Sequence, residues 1–264
     1  MAGLLIGLIA GSIGGLVGVG GGVIIVPLMT ETLHFRQHEA HGTSLVAVVF
    51  TGIAGSVIYY LHGSADLAVA AVLAGMALCT VRFGAKYCCV LPESTLKRHF
   101  GLFLILVAVL FLMKPVMPNI VEGSSPAWIR WIVLVVLGAL TGFISGMMGV
   151  GGGTFMVPMM VLFAGITQHT AQGISLLAMI PASMVGAWTH WERKNIQTAR
   201  LPGLIAGVLA GTYVGGNFAH LIAERELRLL FTALLLYTSL RYLRTKSLPA
   251  TVCTKKDGGE RSPR

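Results

Sequence analysis

Two stretches of the chain are near-copies of each other, separated by 131 positions. The first reads GLVGVGGGVIIVP from Gly15 to Pro27, and the second reads GMMGVGGGTFMVP from Gly146 to Pro158. Each lies in a long apolar run without a charged residue. Because lipid cannot hydrogen-bond an open backbone, such glycine-rich, proline-ended runs belong where the backbone faces protein or an aqueous cavity. A pair of interrupted segments at equivalent places in two halves is typical of a transporter's binding site.

The composition indicates a polytopic membrane protein. The chain has 264 residues, of which 55% are hydrophobic and 11% charged, and a mean hydropathy of +0.81, which is too apolar for a soluble domain. No Asp, Glu, Lys or Arg occurs over 131–191, enough for two spans of about 20 residues each. The first apolar run has no basic region before it and continues well past the roughly 7–15 residues of a signal peptide's apolar region, so we interpret it as a retained span. We expect an all-α, multi-pass protein of the cytoplasmic membrane.

The apolar segments form two tandem repeats of four. They cover 3–29, 43–61, 67–91 and 100–116 in the first half, and 129–163, 171–190, 201–223 and 227–243 in the second. The predicted units are a first repeat at 1–113, a linker at 114–128, a second repeat at 129–245 and a polar, basic tail at 246–264. The pattern QHxAxGxSL, which begins at Gln37 and returns at Gln168, extends the duplication beyond the glycines.

The course of the glycine segments through the membrane is left open by the sequence. With eight simple crossings, the distribution of Lys and Arg places both termini, and so the basic tail, in the cytoplasm. If the glycine segments turn back inside the membrane, the number of crossings per half becomes odd and the repeats are inverted. The tail suits a surface of anionic lipid, and it has no aromatic residue after Tyr242 with which to read nucleic acid.

At these residues the chain resembles the sulfite exporter TauE/SafE family, also called the toluene sulfonate uptake permease family. The resemblance covers about 3–243 and rests on the repeated pattern GxxGxGGGxxxVP. Gly84-Ala85-Lys86, followed by Leu91-Pro92, also looks like the family's pattern. The resemblance implies a transporter for sulfur-containing or organic anions such as sulfite, sulfonates or sulfoacetate. Which anion is moved, in which direction and with which coupling ion are left open.

The candidate substrate site follows from what bare peptide groups can do. Glycines let a ligand approach the main chain, and consecutive free N–H groups hold an anion, helped by the N-terminus of a following helix. An anion could then be bound without a buried Lys or Arg, which costs roughly 2.5–3.5 kcal/mol in a membrane span. The predicted substrate-binding residues are Gly18, Gly20, Gly21, Gly22, Thr43, Ser44, Gly149, Gly151, Gly152, Gly153, Gln172 and Ser175. Close packing of helices through small residues is the alternative explanation of the glycines.

Other functions fit the sequence less well. His34, His38 and His41, assigned to one helical face, and a group of methionines near Met156 could suggest a transporter or channel for a soft metal such as copper. Their counterparts in the other repeat are mostly not metal ligands, so no metal site or cofactor is predicted. An intramembrane enzyme would need a nucleophile with its base or a metal with its water, and no such motif lies in the apolar segments. If protons drive transport, His38 and His169 are the candidates.

Overall fold

The chain forms ten helices in the part that the structure, a computed structural model, describes. Residues 2–88, 93–113, 127–148, 152–192 and 194–244 are described. The helices are α1 Ala2–Val17, α2 Gly22–Thr32, α3 Gln37–Leu61, α4 Leu67–Cys88, α5 Glu93–Met113, α6 Ala127–Met148, α7 Gly153–Phe163, α8 Gln168–Glu192, α9 Leu201–Leu221 and α10 Glu224–Arg244. The linker from Lys114 to Pro126 and the basic tail lie outside the described residues. The expectation of an all-α membrane protein is confirmed.

The first apolar segment of each half is interrupted, as the glycines predict. α1 ends at Val17 and α2 begins at Gly22, while α6 ends at Met148 and α7 begins at Gly153. The residue before each second helix is a left-handed glycine, with φ 72° at Gly21 and 71° at Gly152. α2 and α7, like α3 and α8, begin and end 131 residues apart. The duplicated sequence therefore produces the same break at the same place twice.

The interrupted segment of the first half, α1 and α2, folds as a hairpin. Gly21 lies against the carbonyl of Ala10, so that a β-carbon at Gly21 would stand 2.7 Å from that oxygen. Further along, Ile25 and Met29 belong to the same buried cluster as Ile6 and Ala10. α2 therefore runs back toward the end of the molecule at which α1 begins.

The two halves are interleaved, with equivalent helices running in opposite directions. Gly42, near the start of α3, lies against His190 at the end of α8, and Gly173, near the start of α8, lies against Tyr59 at the end of α3. α1 packs most extensively on α9, and α6 packs on α4. The first helix of each half therefore packs against a helix of the other half.

Glycines let α1 and α9 approach backbone to backbone. A β-carbon at Gly11 would stand 2.5 Å from the carbonyl oxygen of Val208, and one at Gly15 would stand 2.8 Å from that of Thr212. On the facing helix, Gly207 and Gly211 lie against the carbonyls of Leu4 and Leu8. This pattern of small residues spaced four apart is the usual basis of close helix association in lipid. Packing thus explains the glycines of α1 and α9.

Four helices are long and apolar enough to cross a membrane by length and composition. They cover Glu39–Leu61, Trp128–Ser145, Gln168–Glu192 and Thr198–Leu221, in a search confined to the described residues. Large apolar side chains such as Leu61, Trp188 and Leu221 are exposed on the outside of the bundle, as expected for a surface covered by lipid.

One loop position gives a prediction about stability. His34, in the loop after α2, has φ 52°, whereas its counterpart Gly165 has φ 64°. A left-handed conformation costs a non-glycine residue roughly 1–2 kcal/mol, so we expect His34→Gly to raise the unfolding midpoint of the detergent-solubilised protein and Gly165→His to lower it. Thermal unfolding followed by intrinsic fluorescence measures both. Equal midpoints for all three proteins would show that the loop relaxes without cost.

Candidate functional site

The two glycine breaks meet at the centre of the bundle. A β-carbon at Gly20 would stand 2.5 Å from Met179 Cε, and one at Gly153 would stand 2.7 Å from Met179 Sδ and 3.1 Å from Val19 Cα. The first break therefore touches the start of α7 directly, and Met179 of α8 fills the space between them. The structure brings together two elements that are 131 positions apart in the sequence.

Both breaks contain backbone amides without a hydrogen bond within the described part of the chain. In the described residues, no hydrogen bond is found to the backbone N–H groups of Gly20, Gly22 and Val23 in the first break, or to those of Gly153 and Thr154 in the second. Such groups are the unpaired donors at a helix N-terminus, where the helix dipole also favours negative charge. The N-termini of α2 and α7 thus converge on one point from the two halves.

The first break is held in place by side chains of α3 and α8. The hydroxyl of Ser175 donates to the carbonyl oxygen of Gly18 at 2.5 Å. The hydroxyl oxygen of Tyr59 lies 3.0 Å from the carbonyl oxygen of Gly15. Tyr59 also lies 2.8 Å from Gln172 Oε1. Gly18 packs so closely on Gln172 that a β-carbon there would stand 2.7 Å from its Cα, and only a residue without a side chain fits at φ 72° in that contact.

Gln172 brings an unused hydrogen-bond donor to the break. Its side chain is fully buried, and its Nε2 has no hydrogen-bond partner within the described part of the chain. A buried donor without a partner costs about 1–3 kcal/mol. A ligand with an oxygen at this place would remove that cost.

A small cavity lies beside the second break. It is lined by Thr141, Ser145, Gly152 and Met179 together with apolar residues of α4 and α8, and its volume is about 10 Å³. This is room for roughly one water molecule. This cavity is smaller than an oxyanion of sulfur.

The other predicted site residues either bond within the protein or lie outside the described part of the chain. Thr43 and Ser44 are buried, but Thr43 accepts a hydrogen bond from the N–H of Gln197 at 3.2 Å and Ser44 donates to the carbonyl of His41, so both hydroxyls are engaged within the protein. Gly149 and Gly151 lie outside the described residues, as does the side chain of His38.

The three histidines assigned to one helical face do not share a helix. His34 lies in the loop between α2 and α3, because α3 begins at Gln37, and that prediction is wrong. The turn is made possible by the left-handed conformation of His34. In the residues that the structure describes, no group of three or more His, Cys, Asp or Glu side chains could hold a metal ion.

Sequence reasoning missed Tyr59 and Met179. Neither has a counterpart of its own kind: the residue equivalent to Tyr59 is His190, and that equivalent to Met179 is Val48. Likewise His41 stands where the other half has Gln172. The two breaks share their glycines but are lined by different side chains, and a search restricted to duplicated residues overlooks those.

The bundle and its paired breaks define a membrane transporter built on two interrupted helical segments. The family model described as "Sulfite exporter TauE/SafE" matches residues 3–242, and the chain belongs to this family. No solved structure matches the chain.

Its curated relatives are similar over most of their length. "Probable membrane transporter protein YdhB" of Bacillus subtilis is 25% identical over 226 residues, which is 85% of this chain and 92% of the relative. "Probable membrane transporter protein YunE" of the same organism is 27% identical over 80% of this chain and 85% of its own. "Probable membrane transporter protein MJ0441" of Methanocaldococcus jannaschii is 25% identical over 74% of this chain and 73% of its own length.

Proposed function

We propose that the protein is a secondary transporter that moves a small sulfur-containing or organic anion, such as sulfite, a sulfonate or sulfoacetate, across the cytoplasmic membrane. The observation that carries the proposal is the meeting of the two glycine breaks around Met179, with Val19 against Gly153. The family description names sulfite, and the relatives are named as membrane transporters.

The chemistry of the breaks suits an oxyanion. The amides of Gly20, Gly22 and Gly153 have no protein acceptor among the described residues, and Gln172, which packs on Gly18, supplies a neutral side-chain donor, its Nε2. Several neutral donors can share the charge of an anion that has several oxygens, and they do so without a fixed cation that would retain it. Weak, distributed contacts suit a cargo that must also leave.

Loading and release require the breaks to separate. The cavity of about 10 Å³ holds no more than roughly one water molecule, so the anion enters when α7 and α8 move apart or when Met179 swings away. Met179 is an unbranched and flexible side chain in contact with both Gly20 and Gly153. We infer that Met179 closes the site between a conformation open to one side of the membrane and a conformation open to the other side.

We further propose six membrane crossings and two hairpins that enter from opposite sides. α1 and α2 form one hairpin, α6 and α7 the other, and the equivalent helices α3 and α8 run in opposite directions. If the side on which α3 begins is the cytoplasm, both termini lie there. Of the 19 Lys and Arg, those on the opposite side are then only Lys114, Arg130, Arg225 and Arg228. This asymmetry is strong support under the positive-inside rule.

Cysteine labelling at one position before α3 and one position after it tests this topology. In a variant without the native Cys79, Cys88, Cys89 and Cys253, we expect a membrane-impermeant maleimide to label Ala68→Cys in intact cells and Thr32→Cys only after permeabilisation. Both positions are exposed. Eight simple crossings with cytoplasmic termini would give the reverse pattern.

Flux into proteoliposomes tests the transport proposal. Vesicles containing the purified protein are given radiolabelled sulfite, sulfoacetate or methanesulfonate, and uptake is compared with that of protein-free vesicles. We expect uptake of at least one of these anions, reduced by an excess of the same unlabelled anion. Uptake equal to that of protein-free vesicles for the whole panel would contradict the proposal. A soft-metal transporter, the alternative function, would instead move Cu(I) added to the same vesicles.

A further inference from the structure

Three imidazole rings are stacked at the end of the bundle where α3 and α9 end and α8 begins. The ring of His220 lies parallel to that of His62, with centroids 4.1 Å apart and an angle of 6°. On another side it stacks with His169, whose centroid is 5.3 Å away. Three helices from both halves therefore each contribute one histidine to a single cluster, which we call the histidine stack.

The histidine stack leads from the surface toward the site. His62 is exposed, His169 and His220 are half-buried, and the next ring, that of Tyr59, is fully buried. The centroids of Tyr59 and His220 are 4.7 Å apart. Tyr59 is the residue whose hydroxyl reaches both Gln172 and the backbone at Gly15.

Hydrogen bonds fix which ring nitrogens carry a proton in the neutral state. His62 Nδ1 lies 2.8 Å from the carbonyl oxygen of Ile58, and His169 Nε2 lies 3.1 Å from that of Ala219. Since a carbonyl only accepts, these two nitrogens are the donors, and the opposite nitrogen of each ring has the lone pair. His220 Nε2 is buried and has no hydrogen-bond partner among the described residues.

The described carboxylates at this end of the bundle include Glu224, near the start of α10, and Asp66, in the loop after α3. From α10, Glu224 accepts a hydrogen bond from the N–H of Gln168 at 3.0 Å and pairs with Arg228 at 3.5 Å. Asp66 of the loop after α3 accepts from the N–H groups of Ala68 and Val69 at the start of α4. These carboxylates already have donors. Because like charges so close repel, the stack holds one added proton at a time.

We propose that the histidine stack, His62, His169 and His220, is the proton-binding site through which this transporter couples the movement of its anion to a proton. This rests on the proposed anion transport. A proton from the aqueous phase binds a free ring nitrogen of the stack, and the resulting positive charge lies beside Tyr59. Tyr59 touches the first break, so the charge favours an anion there, and by linkage the bound anion favours the proton. When the site and the stack open together to the other side, the anion and the proton both leave there, so the two are carried in the same direction.

Proteoliposomes that report both species test the coupling. The vesicles enclose a pH-sensitive dye, and radiolabelled methanesulfonate, which stays ionised in this pH range, or sulfoacetate is added outside. We expect the lumen to acidify as the anion enters. Because a proton enters with each anion, we also expect uptake to be faster with pH 6 outside than with pH 8.

Two substitutions in the histidine stack and one outside it make the test specific. His220→Asn should leave anion uptake down its gradient but remove the acidification and most of its pH dependence. His62→Gln, at the exposed end, should do the same if the first variant is poorly folded. His34→Asn is the matched control, since asparagine tolerates the left-handed conformation of this exposed histidine, and it should behave as the wild type.

The outcomes separate the two proposals. Anion uptake without acidification in the wild type, or acidification that persists in both His220→Asn and His62→Gln, would overturn the coupling and leave the anion transporter intact. No uptake of any anion in the panel would overturn both.

Discussion

Replacing Gly18 with alanine is expected to abolish anion transport. The added β-carbon would stand 2.5 Å from Cβ and 2.7 Å from Cα of Gln172, while φ at Gly18 is 72°. Forced overpacking costs about 1–3 kcal/mol, and the left-handed conformation adds roughly 1–2 kcal/mol. Relief comes only by moving the break away from α8. Since about 1.4 kcal/mol corresponds to a factor of ten in binding, we expect radiolabelled uptake to fall by at least roughly tenfold.

A second glycine separates the two causes of this effect. Gly165 has φ 64°, but nothing lies within 4 Å of a β-carbon built on it. Gly165→Ala therefore incurs the conformational cost without the clash, and we expect it to keep its flux with a slightly lower unfolding midpoint. If both variants lost flux equally, or if Gly18→Ala transported normally, close contact between the first break and α8 would have no part in transport.

Replacing Gly11 with valine is expected to prevent stable assembly of the bundle. A β-carbon at Gly11 would stand 2.5 Å from the carbonyl oxygen and 2.9 Å from Cα of Val208, and neither backbone atom can yield without shifting α9. Overpacking of this kind costs typically 1–3 kcal/mol and occasionally more, and α1 and α9 form the most extensive helix pair. We expect aggregation in size-exclusion chromatography, or an unfolding midpoint many degrees below that of the wild type.

Gly75 provides the control for this prediction. It also lies inside a helix, α4, but a β-carbon there meets nothing within 4 Å. Gly75→Val removes the flexibility of glycine in the same way and faces open space, so we expect a monodisperse protein with nearly the wild-type midpoint. Monodisperse Gly11→Val with an unchanged midpoint would mean that the helix pair is not close-packed in the membrane.

The breaks themselves could be predicted from the sequence because their cause is local. Three adjacent glycines cannot continue a regular helix at low cost, and the duplication repeats that signal. The prolines that follow, Pro27 and Pro158, lie inside α2 and α7. The resulting bounds agree with the expectation, since α2 begins at Gly22 and α7 begins at Gly153. Gln172 and Ser175, which the sequence predicts to bind the anion, lie beside Gly18.

The rest of the fold and of the site depends on long-range packing, which local sequence patterns do not predict. Tyr59 reaches the break only because α3 ends beside the start of α8, a consequence of how the halves interleave. The pairing of α1 with α9 joins residues about 200 positions apart, and its glycines look the same in sequence as those of the breaks. The return of α2 along α1 depends on three left-handed glycines, Gly18, Gly20 and Gly21.

A labelling scheme that isolates the amides of the breaks offers the most direct test of the central proposal, that bare peptide N–H groups hold the anion. With ¹³C-carbonyl glycine and ¹⁵N-valine, an HNCO spectrum shows only the amides of valines that follow a glycine, which are Val19, Val23, Val150 and Val208. The first three belong to the breaks. The N–H of Val23 has no acceptor among the described residues, whereas that of Val19 donates to the carbonyl oxygen of Gly14. Val208, inside α9, is the internal control.

Titration of the labelled protein with the transported anion should then move the signals of the break valines and leave that of Val208 in place. The shifts should saturate at the concentration that half-saturates uptake. Uptake of an anion by a protein in which none of Val19, Val23 and Val150 responds, or in which all four signals move alike, would contradict this account.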